Sequence, residues 1–464
     1  MASILDGLNI AKLSLSAQQF AMSVTQRNTV NVNNENYTRQ EVLFTDLSVP
    51  ANWTTFGVPG VELWAARNAY LDKSISYELP SLGENLVKYN ALREIDAILQ
   101  ATSCGGIGTS IDNFFNSFTE LSSDPTNLAL RWQALSTAQT MVEDFHRIYG
   151  EIQRVQTSAE QHIKSGIEDV NKLTARIADL NGRIEAAQAN GQQETMYALR
   201  DERQQNIEEL QGKIGLNYFE TESGSITVTT TNGDAVVLGN RSFDFVADNT
   251  ASGNPPFSDI YLVGKNVTDA ITSGEIGGLL QVRDVLIPGY LQTLDDMATD
   301  IITNVNAVHA LGVDLNAAAG GDFFVDLATL PPGPVSRVIS VKITDPNEIA
   351  AAVAGMGIGD NGNAKALAAI GADKIFAGGT QTIGEMYAAL VYKVGTDQRT
   401  AEQTGTNQQN LIYQLLSQRN AESGVSLNEE AINLIKFQQA YQASSRIVSV
   451  LNILSAEILN FVGV

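Results

Sequence analysis

A seven-residue apolar repeat near the middle of the chain constrains the fold more than any other feature. Two interleaved sets of residues carry it: Ile163, Val170, Ile177 and Ile184, with Gly166, Leu173, Leu180 and Ala187. Such spacing predicts a long helix with a continuous apolar seam. Ala-Asn-Gly at 189–191 predicts its end. A second helical pattern over 196–214 predicts the return arm of an antiparallel hairpin, so an elongated helical rod is expected.

Helical patterns also occupy both ends of the chain. The N-terminal segment carries two stripes, namely Ile4, Leu8, Ala11 and Leu15, and Ile10, Leu13, Ala17, Phe20 and Val24. The C-terminal segment alternates steps of three and four through Phe437, Ala440, Ser444, Ile447, Leu451, Leu454, Ile458 and Phe461. That alternation is typical of a coiled-coil seam.

Two interpretations of these terminal helices stay open. They are either two core helices of one globular domain or an intermolecular coiled-coil layer. Terminal segments usually fray unless they are tied down. Val448 and Leu459 also lie off the predicted seam, and a single helix pair could not bury all of this apolar surface. We therefore expect other copies of the chain to cover the remainder.

The segments in between alternate in character. Residues 36–80 predict short strands and turns, and residues 81–150 predict helix, broken at 102–108 and 122–125. The Thr- and Val-rich run around Asn232-Gly233 predicts a β-hairpin within a small β insertion over 216–265. Helix is expected over 275–316, extended chain over 320–345, and helix again towards the end, with PNEIAAAVAG at 346–355 also expected to be helical.

Composition excludes several classes of partner. The chain has 464 residues, with 52 acidic against 29 basic side chains and a net charge of −23. Phosphate backbones and anionic lipids would be repelled, so neither nucleic acid nor a membrane is expected as a partner. No stretch reaches the ~20 apolar residues of a membrane span. Because the first residues lack a basic and apolar signal pattern, we expect no cleavable secretory signal, which leaves a cytosolic location or an export route without one.

The sequence predicts no catalytic, cofactor-binding or metal-binding residues. Cys104 has no second cysteine to pair with, and the three histidines (His146, His162 and His309) lie far apart. The run from Gly357 to Gly362 matches G-x-G-x-x-G, but no strand is expected before it. Asn31, Asn33 and Glu35 have calcium-loop spacing without the glycine and the acidic twelfth ligand.

Residues 31–40, NVNNENYTRQ, mark the end of the first helix. Asparagine competes for backbone hydrogen bonds and tolerates left-handed torsion angles. The run therefore predicts a polar hinge, with Asn31, Asn33, Asn36, Tyr37 and Arg39 as its key residues.

The hinge and the termini resemble the bacterial flagellar axial family of rod, hook and hook-associated proteins. The family's hinge has the pattern Asn-x-Asn-Thr-x-Gly-Tyr-Thr-Arg, and Asn31–Arg39 aligns with it, with Asn34 in place of Thr and Asn36 in place of Gly. We therefore expect positive φ at Asn36. The C-terminal FQQAYQASSRIVSVLNIL at 437–454 is similar to the family as well.

Stretches along the whole chain are similar to the hook-associated branch of this family. They are IDNFFNSFTELSSDPTNLALR (111–131), LRDERQQNIEEL (199–210), SGEIGGLLQVRDVLIPGYLQTLDDMA (273–298), VNAVHALGVDLN (305–316), GDNGNAKALAAI (359–370) and SGVSLNEEAINLIKFQQAYQAS (423–444). His309 falls in the branch's Asn-x-x-His-x-x-Gly run, and a structural role is expected for it.

The resemblance implies a structural, non-catalytic subunit of the junction between hook and filament. Such subunits leave the cell unfolded through the flagellar type III export apparatus and assemble beneath a filament cap as a layer of identical copies. The implied neighbours are the hook protein and the second junction protein, and an export chaperone is expected on the C-terminal helix. The location is then extracellular, in the flagellum.

The expected fold is mainly α with a smaller β part, in an elongated multi-domain axial protein. Residues 1–35 and 425–464 form the terminal coiled-coil domain, residues 36–215 and 270–424 the helical rod, and residues 216–269 a small β insertion. The expected assembly residues are Ile4, Leu8, Leu15, Phe20, Phe437, Tyr441, Ile447, Leu451, Leu454 and Ile458. Replacement of Ile447 or Leu451 by aspartate should block assembly while the rod stays folded.

Two alternatives remain at this stage. One is another axial protein, such as a hook, distal rod or second junction protein, which the long heptad helix disfavours. The other is a secreted surface protein with a binding or hydrolytic insert, although residues 216–268 contain no histidine or cysteine.

Overall fold

The computed structural model describes residues 2–34, 36–46, 59–100, 106–250 and 256–462. Side chains are described over the same ranges except 2–6, 45–46, 59–60 and 459–462. Helix predominates and the strands form small sheets, which confirms the expected fold class of paired terminal helices, a long-helix rod and a small β part.

The chain begins with helix α1 (Ala2–Val30), followed by strands β1 (Gln40–Asp46) and β2 (Pro59–Ala65). The two strands pair antiparallel, with Val42 opposite Leu63. Helices α2 (Ala69–Gln100) and α3 (Gly106–Leu121) follow. The start of α2 corrects the expectation of strands and turns up to residue 80. Pro80 lies inside α2 and removes one backbone hydrogen bond, a cost that packing along α2 offsets.

The long heptad helix is α4 (Leu128–Ala189), with 62 residues and a length of about 90 Å. The side chain of Asn127 accepts a hydrogen bond from the backbone N–H of Ala129 and caps its start. The chain turns at Gly191 (φ +68°), and α5 (Gln193–Lys213) returns along α4. The predicted hairpin of helices is confirmed.

Strands β3 to β9 lie between residues 217 and 266. They form a four-stranded sheet of β3 (Asn217–Glu220), β4 (Ile226–Thr229), β5 (Ala235–Leu238) and β6 (Arg241–Ser242), and a three-stranded sheet of β7 (Phe245–Asp248), β8 (Asp259–Leu262) and β9 (Lys265–Asn266). The turn between β4 and β5 contains Gly233 at φ +86°, as the Asn-Gly signal predicts. The apolar residues of these strands share one continuous core with α4, so the β part has no separate core.

The chain then forms α6 (Gly274–Gln281), one wide π turn (Val282–Leu286) and α7 (Ile287–His309) as a single helical stretch. A two-residue sheet joins β10 (Gly312–Val313) to β11 (Ala352–Val353), with α8 (Val335–Val338) between them. Helix α9 (Gly362–Ala369) precedes α10 (Ile383–Ser423), which packs along α2, and α11 (Leu427–Val462) packs along α1.

Two expectations for this part are wrong. Helix was expected to continue to residue 316, but α7 ends at His309. The run PNEIAAAVAG was expected to be helical, but it forms one 3-10 turn (Pro346–Glu348) followed by β11. Tertiary hydrogen bonds override the high helix propensity of its alanines, because the backbone N–H of Ala350 is bonded to Nε2 of His309.

Aromatic side chains from distant segments form a cluster within the core of the rod. Phe114 and Phe118 on α3 meet Phe323 and Phe324, with ring centroids 5.0–5.8 Å apart and all four side chains buried. Aromatic pairs in tilted and edge-to-face arrangements add to the free energy gained from burial. The long loop after α7 is therefore fixed to the helices.

Candidate assembly surface and hinge

The inner face of α11 packs against α1 along an alternating seam. Its members are buried or half-buried at steps of four and three residues: Glu430, Leu434, Phe437, Tyr441, Ser444, Val448, Leu451, Ser455 and Ile458. Ser14 Oγ lies 3.0 Å from Ser444 Oγ, and Gln19 Nε2 donates to the Tyr441 hydroxyl at 3.3 Å. These contacts place Tyr441 and Ser444 on the side of α11 that faces α1.

The face of α1 that meets α11 combines small side chains with the buried Val24. Ala11, Ala17 and Ala21 are buried, and a Cβ on Gly7 would lie 3.3 Å from Leu451 Cδ1. Small residues let two helix backbones approach closely. Leu8, Leu15 and Phe20, three of the predicted assembly residues, are half-buried.

The seam differs from the predicted one at three of the seven predicted positions whose side chains are described. Phe437, Ser444, Leu451 and Ile458 belong to it as expected, but Tyr441, Val448 and Ser455 take the positions expected for Ala440, Ile447 and Leu454. The expectation that Val448 lies off the seam is wrong. The side chains of Ile4, Leu459 and Phe461 lie outside the described residues.

A row of large apolar side chains covers the opposite face of α11. Its members are Ile432, Ile435, Ile447, Val450, Ile453 and Leu454, each between 42% and 66% exposed. We call this set the outer row. Large exposed apolar patches on soluble proteins are typical of contact surfaces, so the outer row is a candidate assembly surface.

The hinge begins as a polar end to α1. The side-chain amide of Asn31 donates to the carbonyl oxygen of Arg27 at 2.9 Å, and the backbone N–H of Asn34 bonds to Asn31 O. The backbone N–H of Asn36 bonds to Asn34 Oδ1 at 3.2 Å, whereas Asn33 is exposed. The φ angle of Asn36 includes an atom of Glu35, which lies outside the described residues, so positive φ at Asn36 stays a prediction.

Asn28 connects the hinge back to α1. Its buried side chain donates to Gln40 O at 2.8 Å and accepts from the Gln40 N–H at 3.2 Å. These are the two hydrogen bonds that the backbone of a neighbouring β-strand would form with Gln40. Asn28 Oδ1 also accepts from the Tyr37 hydroxyl at 2.8 Å. Burial raises the pKa of Tyr37 to about 12, so the hydroxyl stays a donor at neutral pH.

Thr38 connects the hinge to the rod. Its backbone N–H and hydroxyl both donate to the carboxylate of Asp201 on α5, at 3.0 and 2.7 Å. Burial raises the pKa of Asp201, and the two Thr38 bonds partly offset that effect. Arg27 forms an ion pair with Glu194 at the start of α5. The terminal helices therefore meet the rod through polar contacts.

Arg39 connects the hinge to α11. Its guanidinium lies 3.0 Å from the Glu430 carboxylate, 2.7 Å from Glu429 and 3.4 Å from Glu41. Its backbone N–H bonds to Ser423 O at 2.9 Å, at the end of α10. One residue thus joins the hinge, the break between α10 and α11, and the start of α11.

The sequence pointed to Tyr37 and Arg39 but missed their partners Asn28 and Glu430, and it also missed the pair of Thr38 and Asp201. A charged residue at a seam position of α11 was the available signal for Glu430, because seams are otherwise apolar or small. Nothing local in the sequence marks Asp201, which the rod hairpin brings to the hinge from a distant segment.

The described residues contain no group of three or more His, Cys, Asp or Glu side chains that could hold a metal ion. His309 is buried, its Nδ1 contacts Gly321 O at 2.6 Å, and burial lowers its pKa. A neutral ring that donates from Nδ1 and accepts at Nε2 satisfies both bonds, so His309 is a structural residue. Helices within the described ranges are also too short or too polar to cross a membrane.

Comparisons with known proteins agree with this geometry. The family model "Flagellar hook-associated protein FlgK helical domain" matches residues 92–324, half of the chain, and "Flagellar basal body rod FlgEFG protein C-terminal" matches residues 416–460. The second match covers the break after α10 and most of α11. The fold and these matches define a flagellar axial protein.

Within that class, the chain belongs to the FlgK family of flagellar hook-associated proteins. It is 27% identical over 509 residues to flagellar hook-associated protein 1 of Bacillus subtilis, covering 100% of this chain and 99% of that protein. The Escherichia coli protein of the same name is 24% identical and covers 98% and 99%. The flagellar hook junction protein FlgK of Burkholderia pseudomallei has the same fold, with a TM-score of 0.66 at 16% identity over 75% of this chain and all of that one. The chain is therefore a structural protein of the flagellar hook–filament junction.

Proposed function

We propose that this chain builds a tubular layer of identical subunits, in which neighbouring copies contact one another through the outer row of α11. The supporting observation is the outer row itself, because α1 covers only the opposite face of α11. Burying a large apolar side chain completely stabilises by about 1.5–3 kcal/mol. Six half-exposed side chains along one helix thus supply a substantial driving force for assembly.

The proposed domain boundaries follow the ends of the helices. Residues 1–35 and 425–464 form the inner tube, residues 36–215 and 270–424 the rod, and residues 216–269 the outer insertion. The break between α10 and α11 after Ser423 supports the boundary at 425. Because the β strands share the core of α4, the insertion is a rigid extension of the rod.

The predicted assembly residues then divide into two groups. Leu8, Leu15, Phe20, Phe437, Tyr441, Leu451 and Ile458 hold α1 and α11 together, with Ile4 proposed at the end of the same interface. Ile447 and Leu454 belong to the outer row and contact neighbouring copies. The hinge residues Asn31, Asn33, Asn36, Tyr37 and Arg39 set the angle between inner tube and rod.

The further partners are proposed from family membership. The hook protein lies below this layer, the second junction protein above it, and the filament cap covers it during assembly. The chain leaves the cell unfolded by type III export and functions outside it. An export chaperone binds the C-terminal helix, whose outer row would otherwise expose apolar surface in the cytoplasm. Because the relatives are structural flagellar proteins, we propose no catalytic activity.

Ile447→Asp tests the outer row. The variant places a charge at an apolar interface, so we expect loss of the subunit from purified flagella and loss of filaments. Asn452→Asp is the matched control, because it adds the same charge at an exposed position of α11 outside the outer row. Immunoblots of purified flagella measure incorporation, and circular dichroism of the purified chains checks the fold. Normal incorporation of the Ile447 variant would refute the proposed interface.

A second experiment tests the position in the flagellum. Cells that lack this chain should carry hooks without filaments and release filament subunits into the medium. Electron microscopy and immunoblots of the medium measure both effects. Cells without hooks would instead support a rod or hook protein.

A further inference from the structure

A small cavity lies where the hinge meets the rod. Its volume is about 30 Å³, and it is lined by the hinge, the segment that leads into α2, the middle of α5 and the end of α10. The described residues that line it carry polar or charged side chains, apart from Gly424. A volume of about 10–15 Å³ suffices for one water molecule, and a polar lining supplies the hydrogen-bond partners that a buried water needs.

The hydroxyl of Ser423 indicates that the cavity has an occupant. Ser423 lines the cavity and is only 7% exposed, and its Oγ has no hydrogen-bond partner among the described residues. Its backbone is satisfied by contrast, since Ser423 O accepts from the Arg39 N–H at 2.9 Å. A buried hydroxyl without a partner is destabilising, and in native proteins the chain or an ordered water usually supplies one.

Asp201 lines the same cavity and can accept further hydrogen bonds. Each of its carboxylate oxygens accepts one bond from Thr38, at 3.0 and 2.7 Å, whereas an ionised carboxylate has about four acceptor sites. Burial raises the pKa of Asp201, because the charged form has lost its solvation by bulk water. A donor in the cavity would stabilise the charged form of Asp201.

The other charged side chains around the cavity are paired with one another. Asp72 lies 2.7 Å from Arg67, and Glu208 lies 2.6 Å from Arg419. The two guanidinium groups would repel a further cation, and the three carboxylates would repel an anion. The chemistry of the lining therefore favours a neutral molecule that both donates and accepts hydrogen bonds, and the volume of the cavity restricts that molecule to water.

We propose that this cavity binds one ordered water molecule, which donates to the Asp201 carboxylate and accepts from the Ser423 hydroxyl. A water-mediated bond is nearly as favourable in enthalpy as a direct one. The water connects the end of α10 with α5, and it connects both with the hinge through the carboxylate that Thr38 binds. Ser423 is thus a positioning residue for the hinge. The site is a property of the single chain, and only its effect on the angle between inner tube and rod rests on the function proposed above.

A crystal structure of the purified full chain, at a resolution that shows ordered waters, tests the site directly. We expect one density peak in the cavity, within hydrogen-bond distance of Ser423 Oγ and of a carboxylate oxygen of Asp201. Crystals soaked in rubidium chloride distinguish water from a monovalent cation, because rubidium gives an anomalous signal. A cavity without density, or a rubidium peak inside it, would overturn the proposal.

Ser423→Ala tests the site in solution through the sign of its effect on the hinge. With a bound water the substitution removes a hydrogen bond, so we expect the backbone amides of Thr38 and Arg39 to exchange with deuterium about two- to tenfold faster. In a dry cavity the same substitution would remove a buried hydroxyl that has no partner, and exchange would become slower. Ser417→Ala is the matched control, because this exposed serine of α10 lies outside the cavity, and exchange at the hinge should not change.

Unchanged or slower exchange in the Ser423→Ala variant would overturn the proposal, and so would an equal effect of the two serine substitutions. Hydrogen exchange with mass spectrometry measures these rates on the unassembled chain. Failure of the water site is therefore distinguishable from failure of the outer row, which is measured as incorporation into flagella.

Discussion

The rod and the terminal helix pair bury their apolar residues to very different extents. In the rod, Phe114, Phe118 and Phe323 are fully buried, and even the charged Arg283 is enclosed with its partner Glu160. In the terminal pair, the seam of α11 is mostly half-buried and its outer row is exposed. The rod thus has its own core within one chain, whereas the terminal pair leaves large apolar side chains uncovered.

This difference fits the two requirements that the proposed function places on one chain. A subunit that is exported and then assembled needs a part that folds alone and a part that is stable only among neighbours. The polar hinge separates the two, because Thr38–Asp201 and Arg27–Glu194 join them without a shared apolar core.

Deletion of residues 430–464 should have the largest effect on assembly and almost none on the rod. The segment contributes most of α11 and the whole outer row, while the core of the rod lies elsewhere. We expect complete loss of incorporation into flagella, with a thermal unfolding transition of the purified rod that stays within a few degrees. A truncated chain that still assembles would show that the terminal pair is not the assembly surface.

Phe323→Ala should destabilise the rod by about 3–5 kcal/mol, because it leaves a cavity among four aromatic rings. Urea unfolding measures this loss. Leu451→Ala is the counterpart in the terminal pair, and the half-buried side chain should leave the free energy of unfolding of the rod unchanged. A similar loss in both variants would mean that the two regions unfold as one unit.

Glu160→Gln should cost the rod about 1–3 kcal/mol at neutral pH, because it removes the more buried of the two carboxylates that pair with the buried Arg283 and leaves only Asp284. Burial by itself would raise the pKa of Glu160, but bonds from Ser258, Lys164 and Arg283 outweigh burial and hold that pKa below its usual value of 4.5. Because the pKa of Glu160 is lower in the folded chain than in the unfolded chain, its ionised form stabilises the fold at pH values above the unfolded-state pKa. This stabilisation is lost as the pH falls through the folded-state pKa. Urea unfolding from pH 7 to pH 3 should therefore show that the difference in unfolding free energy between wild type and variant decreases in acid. A difference that does not change with pH would mean that the charge of Glu160 is not its cause.

Gly83→Ala should destabilise the rod by about 1–3 kcal/mol, because its Cβ would overlap the backbone oxygen of Gly212 where α2 crosses α5. Gly395→Ala is the matched helix substitution with open space around it, and a gain of about 0.5–1 kcal/mol is expected there. Thermal unfolding compares the two. Equal effects would show that helix propensity, and not the close approach of α2 to α5, governs both positions.

Local patterns predicted the elements that depend on local forces. The repeat from Ile163 to Ile184 predicted α4, Asn-Gly at 232–233 predicted the β4–β5 turn, and the termini predicted α1 and α11. Long-range contacts decided the rest. The alanines before Gly355 form β11 because His309 and Asn363 bond to the backbone of Ala350.

The run from Gly357 to Gly362, which matches the G-x-G-x-x-G pattern, also shows that a local pattern does not predict long-range pairing. The expectation of no nucleotide site rested on a helix before it, but a short strand, β11, lies there. That strand pairs antiparallel with β10 and not within a parallel sheet, and Asp360 bonds to the backbone of Val353 and Gly362.

Solvent access to Ile447 before and after assembly shows whether neighbouring copies cover the outer row. Ile447→Cys in a Cys104→Ser chain can be treated with a maleimide, both as purified protein and in intact flagella, with urea-unfolded flagella as the reference for full labelling. We predict rapid labelling of the isolated chain and strong protection in flagella, because neighbouring copies cover the outer row. Equal labelling of the isolated and assembled chain would contradict the claim that the terminal pair is completed by its neighbours.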